Sequence, residues 1–373
     1  MNCLERFLAV MEYEPVDQCP NHELGAWPQT VERWLKEGMA PGTYNFNWFV
    51  ADDAIGLDRR EYIPVNYNMV PPFDFEMLEK TDRYEIFRDG FGIVHKALID
   101  GSVGGGRMCM DQYLDFPVKN LEDFRAVKKR YIAGIPERYP ANLSAELIPL
   151  WKQRDYPLQL GHNCSATGFY WRAREWMGTE ELSLAWYDQP ELMHEMMEFF
   201  ADFTIENSRP VLEQINVETF TLNEDLAMKG GSLLSPTTFK EFIFPHLARL
   251  VEFLKSHGVR YVCLDSDGYS VPLIDQFMDA GVDVHWPLER ASDMDPVMLR
   301  AKFGKSLRLW GGVDKRELAK DRAAIDAHLK LLQPLVEEGG FIPTVDHTVD
   351  PEISYDNFQY YIEQKHKLLR CEL

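Results

Sequence analysis

From about residue 215 onward the chain repeats one hydrophobic rhythm: a short apolar run, a polar or glycine-containing turn, then apolar positions at helical spacing. "VETFTLNEDLA" leads into "SPTTFKEFIFPHLARLVEFLKSHG", where Ser235 suits an N-cap, Pro236 the first turn and Gly258 the stop. "VRYVCLDSDG" leads to "VPLIDQFMDAG", "VDVHWPLE" to "DPVMLRAKFG", and "SLRLWGGVD" to "RAAIDAHLKLLQPLVEEGG". "FIPTVDHTV" precedes "SYDNFQYYIEQKHKLLR". Five such units in succession predict parallel strands joined by right-handed helical crossovers.

The polar residues choose between an open sheet and a barrel. Every one of these strands ends in costly side chains: Glu224 and Asp225, Asp265 and Asp267, His285 with Glu289, Asp314, and Asp346 with His347. In a (β/α)8 barrel all strand ends meet at one mouth, whereas in an open sheet only those at the switch point do. The expected fold is therefore an α/β (β/α)8 TIM barrel with an N-terminal extension. "GSVGGGRM" (101–108) lacks dinucleotide-loop spacing and reads as a loop between hairpin arms.

The first half is less regular. "VDQCPNHELGAW" is expected to supply a first strand ending at His22 and Glu23, and "TVERWLKEG" the first helix. "YEIFRDGFGIVHKALIDG" alternates about a turn and predicts an antiparallel excursion over the barrel. "YPLQLGHNCSATGFYWRAREWMG" reads as a strand with His162 and Cys164 at its end, then a helix. With no Gly-, Ser- or Pro-rich linker, residues 1–373 are read as one domain, 1–150 carrying the insertions and 151–373 the regular units.

Composition narrows the function. Hydrophobic residues make up 45% and aromatics 13%, as in a packed globular protein. A formal charge of −21 without any basic run argues against nucleic acid. Scattered cysteines without a CxxC pair fit a reducing cytoplasm. No signal-peptide core and no membrane-length apolar run is present.

The pieces "ERFLAVMEYEPVDQCP", "NEDLAMKGGSLLSPTTFKEFIFPH", "SDG", "PLERASDMDP", "WGGVDKREL" and "GGFIPTVDHTVDPEISYDNFQYY" resemble, in order, the uroporphyrinogen decarboxylase superfamily, which includes cobalamin-dependent methyltransferases. The resemblance implies a (β/α)8 barrel whose mouth meets a tetrapyrrole, and often a homodimer. The decarboxylase branch carries an arginine-rich motif near the first strand, where this chain has "NHELGAWPQT" with Glu23. The branch that feeds coenzyme M holds zinc on His-x-Cys and a distant Cys, where this chain has Asp265-Ser266-Asp267 and the neighbourhood of Asp346 and His347. Loss of the thiolates disfavours a thiol acceptor.

The expectation drawn is a methyltransferase moving a methyl group from a small O- or N-methylated compound to a corrinoid protein. The alternatives are decarboxylation of a porphyrinogen or other acid, and a non-catalytic barrel that binds a tetrapyrrole or methylated ligand. Asp265, Asp267 and His347, with Glu224, are the expected catalytic residues. If the strand runs on, Asp265 and Asp267 share a face, and with His347 they form an N/O set for zinc or an acid–base pair. His22, Glu23, Trp27, His162, Trp286 and Glu289 are the expected substrate contacts. Capping of the following turn is the competing role for the two aspartates.

Overall fold

The computed structural model describes residues 1–43, 55–100, 102–103, 106–107, 110–161 and 166–373. Its centre is a seven-stranded parallel sheet: β1 (Glu61–Tyr62), β2 (Leu158–Leu160), β3 (Thr219–Asn223), β4 (Tyr261–Asp265), β5 (Val284–Trp286), β6 (Arg308–Trp310) and β7 (Phe341–Ile342). Each strand pairs with its neighbours in chain order. Successive strands lie side by side because the helices between them pack back on the same outer face.

The sheet is curled. Tyr62, Gln159, Thr221, Cys263, Trp286 and Trp310, one from each of β1 to β6, line a single cavity of about 10 Å³ with Arg60. In a flat sheet five spacings of about 4.8 Å would hold the outermost of these about 24 Å apart. Alternation does the sorting: Phe220, Leu222, Val262 and Leu264 face the helices in one hydrophobic cluster, while Thr221 and Cys263 face inward.

The five predicted units are present, and the first helix starts at Ser235 as its cap indicated; four of the five have side-chain caps. Ser235 accepts from the Thr238 amide, Asp295 from Val297 and Met298, Asp321 from Ala324, and Ser354 from Asn357. The excursion is a four-stranded antiparallel sheet containing Tyr84–Arg88 and Val94–Leu98. Its turn is held by Asp89, which accepts from the Phe91 and Ile93 amides.

One predicted strand is not formed. "VDQCPNHELGAW" is irregular, with an isolated bridge between Ala26 and Val349. Pro20 brings no N–H, Gly25 sits at φ 127°, and the Asn21 and Glu23 side chains bond to backbone that a ladder would otherwise use. The segment still crosses between the sheet's edges: the Asp58 amide donates to Asn21 at 2.8 Å and the Val349 amide to Gly25 at 2.9 Å. The result is a curled half-barrel of seven strands with an irregular stave beside it, short of the eight-stranded barrel expected. Among the described residues no helix is long and apolar enough to cross a membrane.

Candidate active site at the mouth of the curled sheet

Asn223 and Asp265 are register partners at the C-terminal ends of β3 and β4, and the Asn223 amide donates to the Asp265 carboxylate at 2.8 Å. The loops that follow are laced together. The Glu224 amide donates to the Asp265 carbonyl at 2.8 Å, and the Asp267 amide to the Asp225 carboxylate at 3.3 Å. Gly268, at φ 78°, passes so close that a Cβ would lie 2.4 Å from the Ala227 carbonyl oxygen. This close approach requires glycine and brings Asp225, Asp265 and Asp267 into one cluster.

His347 completes the group, its Nε2 3.4 Å from Asp267 and its ring stacked on Trp27 at 5.9 Å. Arg174 stands on the other side, 3.6 Å from the Asp225 carboxylate.

Electrostatics favours protons here. Burial first, then the charges of Asp225 and Asp267, push Asp265 well above the usual carboxylate range. Burial and the neighbouring Asp267 push Asp225 up to about 6. Burial lowers His347, but its bond to Asp267 outweighs this and leaves the imidazole above its ordinary value. The cluster is thus a store of protons near neutral pH.

Several expected site residues are turned elsewhere. Glu224 is fully buried and accepts from the Phe169 and Tyr170 amides at 3.0 and 2.7 Å, tying β3 to the start of the helix Phe169–Met177. Gly168 permits that contact, since a Cβ there would meet the Asn223 carbonyl oxygen at 2.0 Å. Its neighbour Asp225, held at φ 43°, faces the cluster instead. Glu224→Gln has one acceptor where two are needed, so it is expected to destabilise the fold by about 1–3 kcal/mol in urea unfolding.

Glu23 is paired in the core with Lys365 and Tyr361, and His22 lies between Trp310 and Phe7. Both residues are buried. Trp286 is buried against the interior cavity. Glu289 accepts from the Gly268 amide at 3.2 Å and from Ser292 at 2.8 Å, bracing the turn that carries Asp267. Asp346 clamps the Arg290 and Lys315 amides, and Asp314 caps its helix and pairs with Arg316. His162 and Cys164 lie outside the described residues.

Asp265 and Asp267 do not share a strand face as expected. β4 stops at Asp265, and the last bond toward β5 runs from the Ser266 amide to the Trp286 carbonyl at 3.0 Å, so the strand does not extend to Asp267. Among the described residues no group of three His, Cys, Asp or Glu side chains is arranged to hold a metal ion. Asp265, Asp267 and His347 are thus not drawn together as the three ligands of the expected zinc set in this geometry.

A family model described as Uroporphyrinogen decarboxylase (URO-D) matches residues 173–368, a little over half of the 373 residues. The chain belongs to this family. The match includes Arg174, Asp225, Asp265, Asp267, Glu289 and His347, so the whole cluster lies within the URO-D portion. Curated relatives named uroporphyrinogen decarboxylase are similar at low identity. The protein from Myxococcus xanthus (strain DK1622) is 25% identical over 190 residues, 48% of this chain and 49% of its own. That from Hydrogenovibrio crunogenus (strain DSM 25203 / XCL-2) is 23% identical over 188 residues, 48% of this chain and 49% of its own. That from Schizosaccharomyces pombe (strain 972 / ATCC 24843) is 24% identical over 187 residues, 48% of this chain and 50% of its own. The chain spans about half the length of the curated relatives it matches. Their names favour the decarboxylase alternative over the methyltransferase reading.

Proposed function

We propose that this URO-D family member is a decarboxylase whose mouth delivers a proton from the Asp225–Asp265–Asp267 cluster to a carboxylic-acid substrate. The observation that carries this reading is the packing of Asp225, Asp265 and Asp267 at the end of β4, where burial and neighbouring charge raise Asp265 well above the usual carboxylate range and Asp225 to about 6. Loss of CO2 breaks a C–C bond and leaves its electron pair on the remaining carbon. A conjugated substrate spreads that pair, and a carboxyl beside it supplies the proton that ends the step. His347, at the more exposed side of Asp267, returns the proton to the cluster.

A second reading is favoured by charge. Among the described residues Arg174 is the arginine that ion-pairs with the cluster, in a chain of formal charge −21, and a substrate with many carboxylates meets repulsion there. Methyl transfer from a neutral or cationic O- or N-methyl compound to a corrinoid protein avoids that cost. The corrinoid is then the methyl acceptor on a partner, and the same carboxyls protonate the departing oxygen or nitrogen.

One preparation tests both. Uroporphyrinogen and smaller aromatic acids are assayed for CO2 and decarboxylated product, and O- and N-methyl compounds with cob(I)alamin for methylcobalamin. CO2 release is expected. Methylcobalamin without CO2 would replace the first reading by the second, and neither product would sink both.

A further inference from the structure

Arg174 is held in an unusual position for a mouth so acidic. Its guanidinium lies over the Trp171 ring, 4.5 Å from the centroid, and its Nη1 donates to the Asp225 carbonyl at 3.2 Å. The Asp225 carboxylate is 3.6 Å from Nη2, beyond hydrogen-bond length, and a quarter of the arginine side chain stays accessible (26%). Other arginines are committed more closely: Arg172 to Glu175 at 2.7 Å and Arg316 to Asp314 at 2.7 Å. Arg174 is therefore fixed in place by a ring and a carbonyl, with most of its five N–H donors unused by the described residues.

We infer that Arg174 anchors one carboxylate of the substrate, a carboxylate other than any lost in the reaction, and so sets the substrate class. This rests on the mouth being the substrate site, whichever bond is cleaved there. A guanidinium presents a planar fork that matches one carboxylate bidentately. If the reaction is decarboxylation, the substrate carries at least two carboxylates, one released and one held. If it is methyl transfer, the substrate is a methylated compound with one carboxylate. A carboxylate destined to leave gains nothing from being held, because binding it equally in the ground state does not speed its loss.

The test reads binding separately from turnover. Aryl and pyrrolyl acetates, each beside its neutral primary amide, are titrated by calorimetry into the full chain, into Arg174→Gln and into Arg174→Lys. The wild type is expected to prefer the acids by about ten-fold or more, the glutamine variant to lose that preference, and the lysine variant to keep part of it. Thermal unfolding of each variant shows that the fold persists. Equal binding of acids and amides by the wild type overturns the inference, as does a preference that survives in Arg174→Gln. If the chain shows Arg174-dependent carboxylate binding yet catalyses neither reaction, the functional reading fails and this inference stands.

Discussion

Replacing Lys365 by methionine is expected to lower the unfolding free energy by about 3–5 kcal/mol. Lys365 is 1% exposed, donates to the His22 carbonyl at 2.6 Å and pairs with Glu23, whose side chain is also 1% exposed. Glu23 in turn accepts from the Tyr361 hydroxyl and from the Val345 amide at 3.0 Å. The group joins the irregular segment 21–26, the end of the sheet beyond β7 and the helix Tyr355–Leu369. Truncating the lysine leaves a buried carboxylate without its cation, which costs more than the pair contributed. The double variant Glu23→Leu/Lys365→Met leaves no stranded charge, so its loss should be smaller than the sum of the two single losses. Urea unfolding of the three variants measures this. A loss below about 1 kcal/mol for Lys365→Met would mean that the pair does not hold the irregular stave in place.

That pair also shows where sequence reading stops. The units from β3 to β7 are legible because each strand is an apolar run, and four of the five following helices carry a side-chain cap, at Ser235, Asp295, Asp321 and Ser354. Glu23 meets Lys365 across almost the whole chain, and no local pattern announces such a contact. Glu23 therefore looked like a mouth residue and proved to be a core one.

The cluster was half legible for a related reason. Acid at each strand end was visible, but Glu224 and Asp225 are adjacent and only the backbone separates them: one turns onto two helix amides, the other, at φ 43°, toward Asp267. β1 is two residues long and too short to show a period. Arg174 lies in a helix with nothing in its spacing to set it apart.

Asp265→Asn is expected to move activity and stability in opposite directions. Activity should fall about 10²–10⁴-fold, the usual contribution of a positioned proton donor, while the unfolding midpoint at pH 8 should rise. The folded-state pKa of Asp265 is raised, by burial first and then by Asp225 and Asp267. Below the unfolded value both states hold the proton and nothing is lost. As pH climbs from there toward the folded value, the unfolded chain releases a proton that the folded chain keeps, so stability drains away. Asparagine has no proton to lose, and its carbonyl still accepts from Asn223, so the advantage of the variant should narrow as pH falls toward 5. Asp267→Asn makes the complementary prediction. The Asp267 charge helps raise both Asp225 and Asp265, so removing it lowers both and moves the alkaline limb of the rate profile, set in the wild type by carboxyls such as Asp225 at about 6, to lower pH. Rate profiles and unfolding midpoints from pH 5 to 8 measure both effects. If Asp265→Asn lost stability at pH 8 and kept its activity, Asp265 would be a cap of the turn, and the proton for the reaction would have to come from elsewhere.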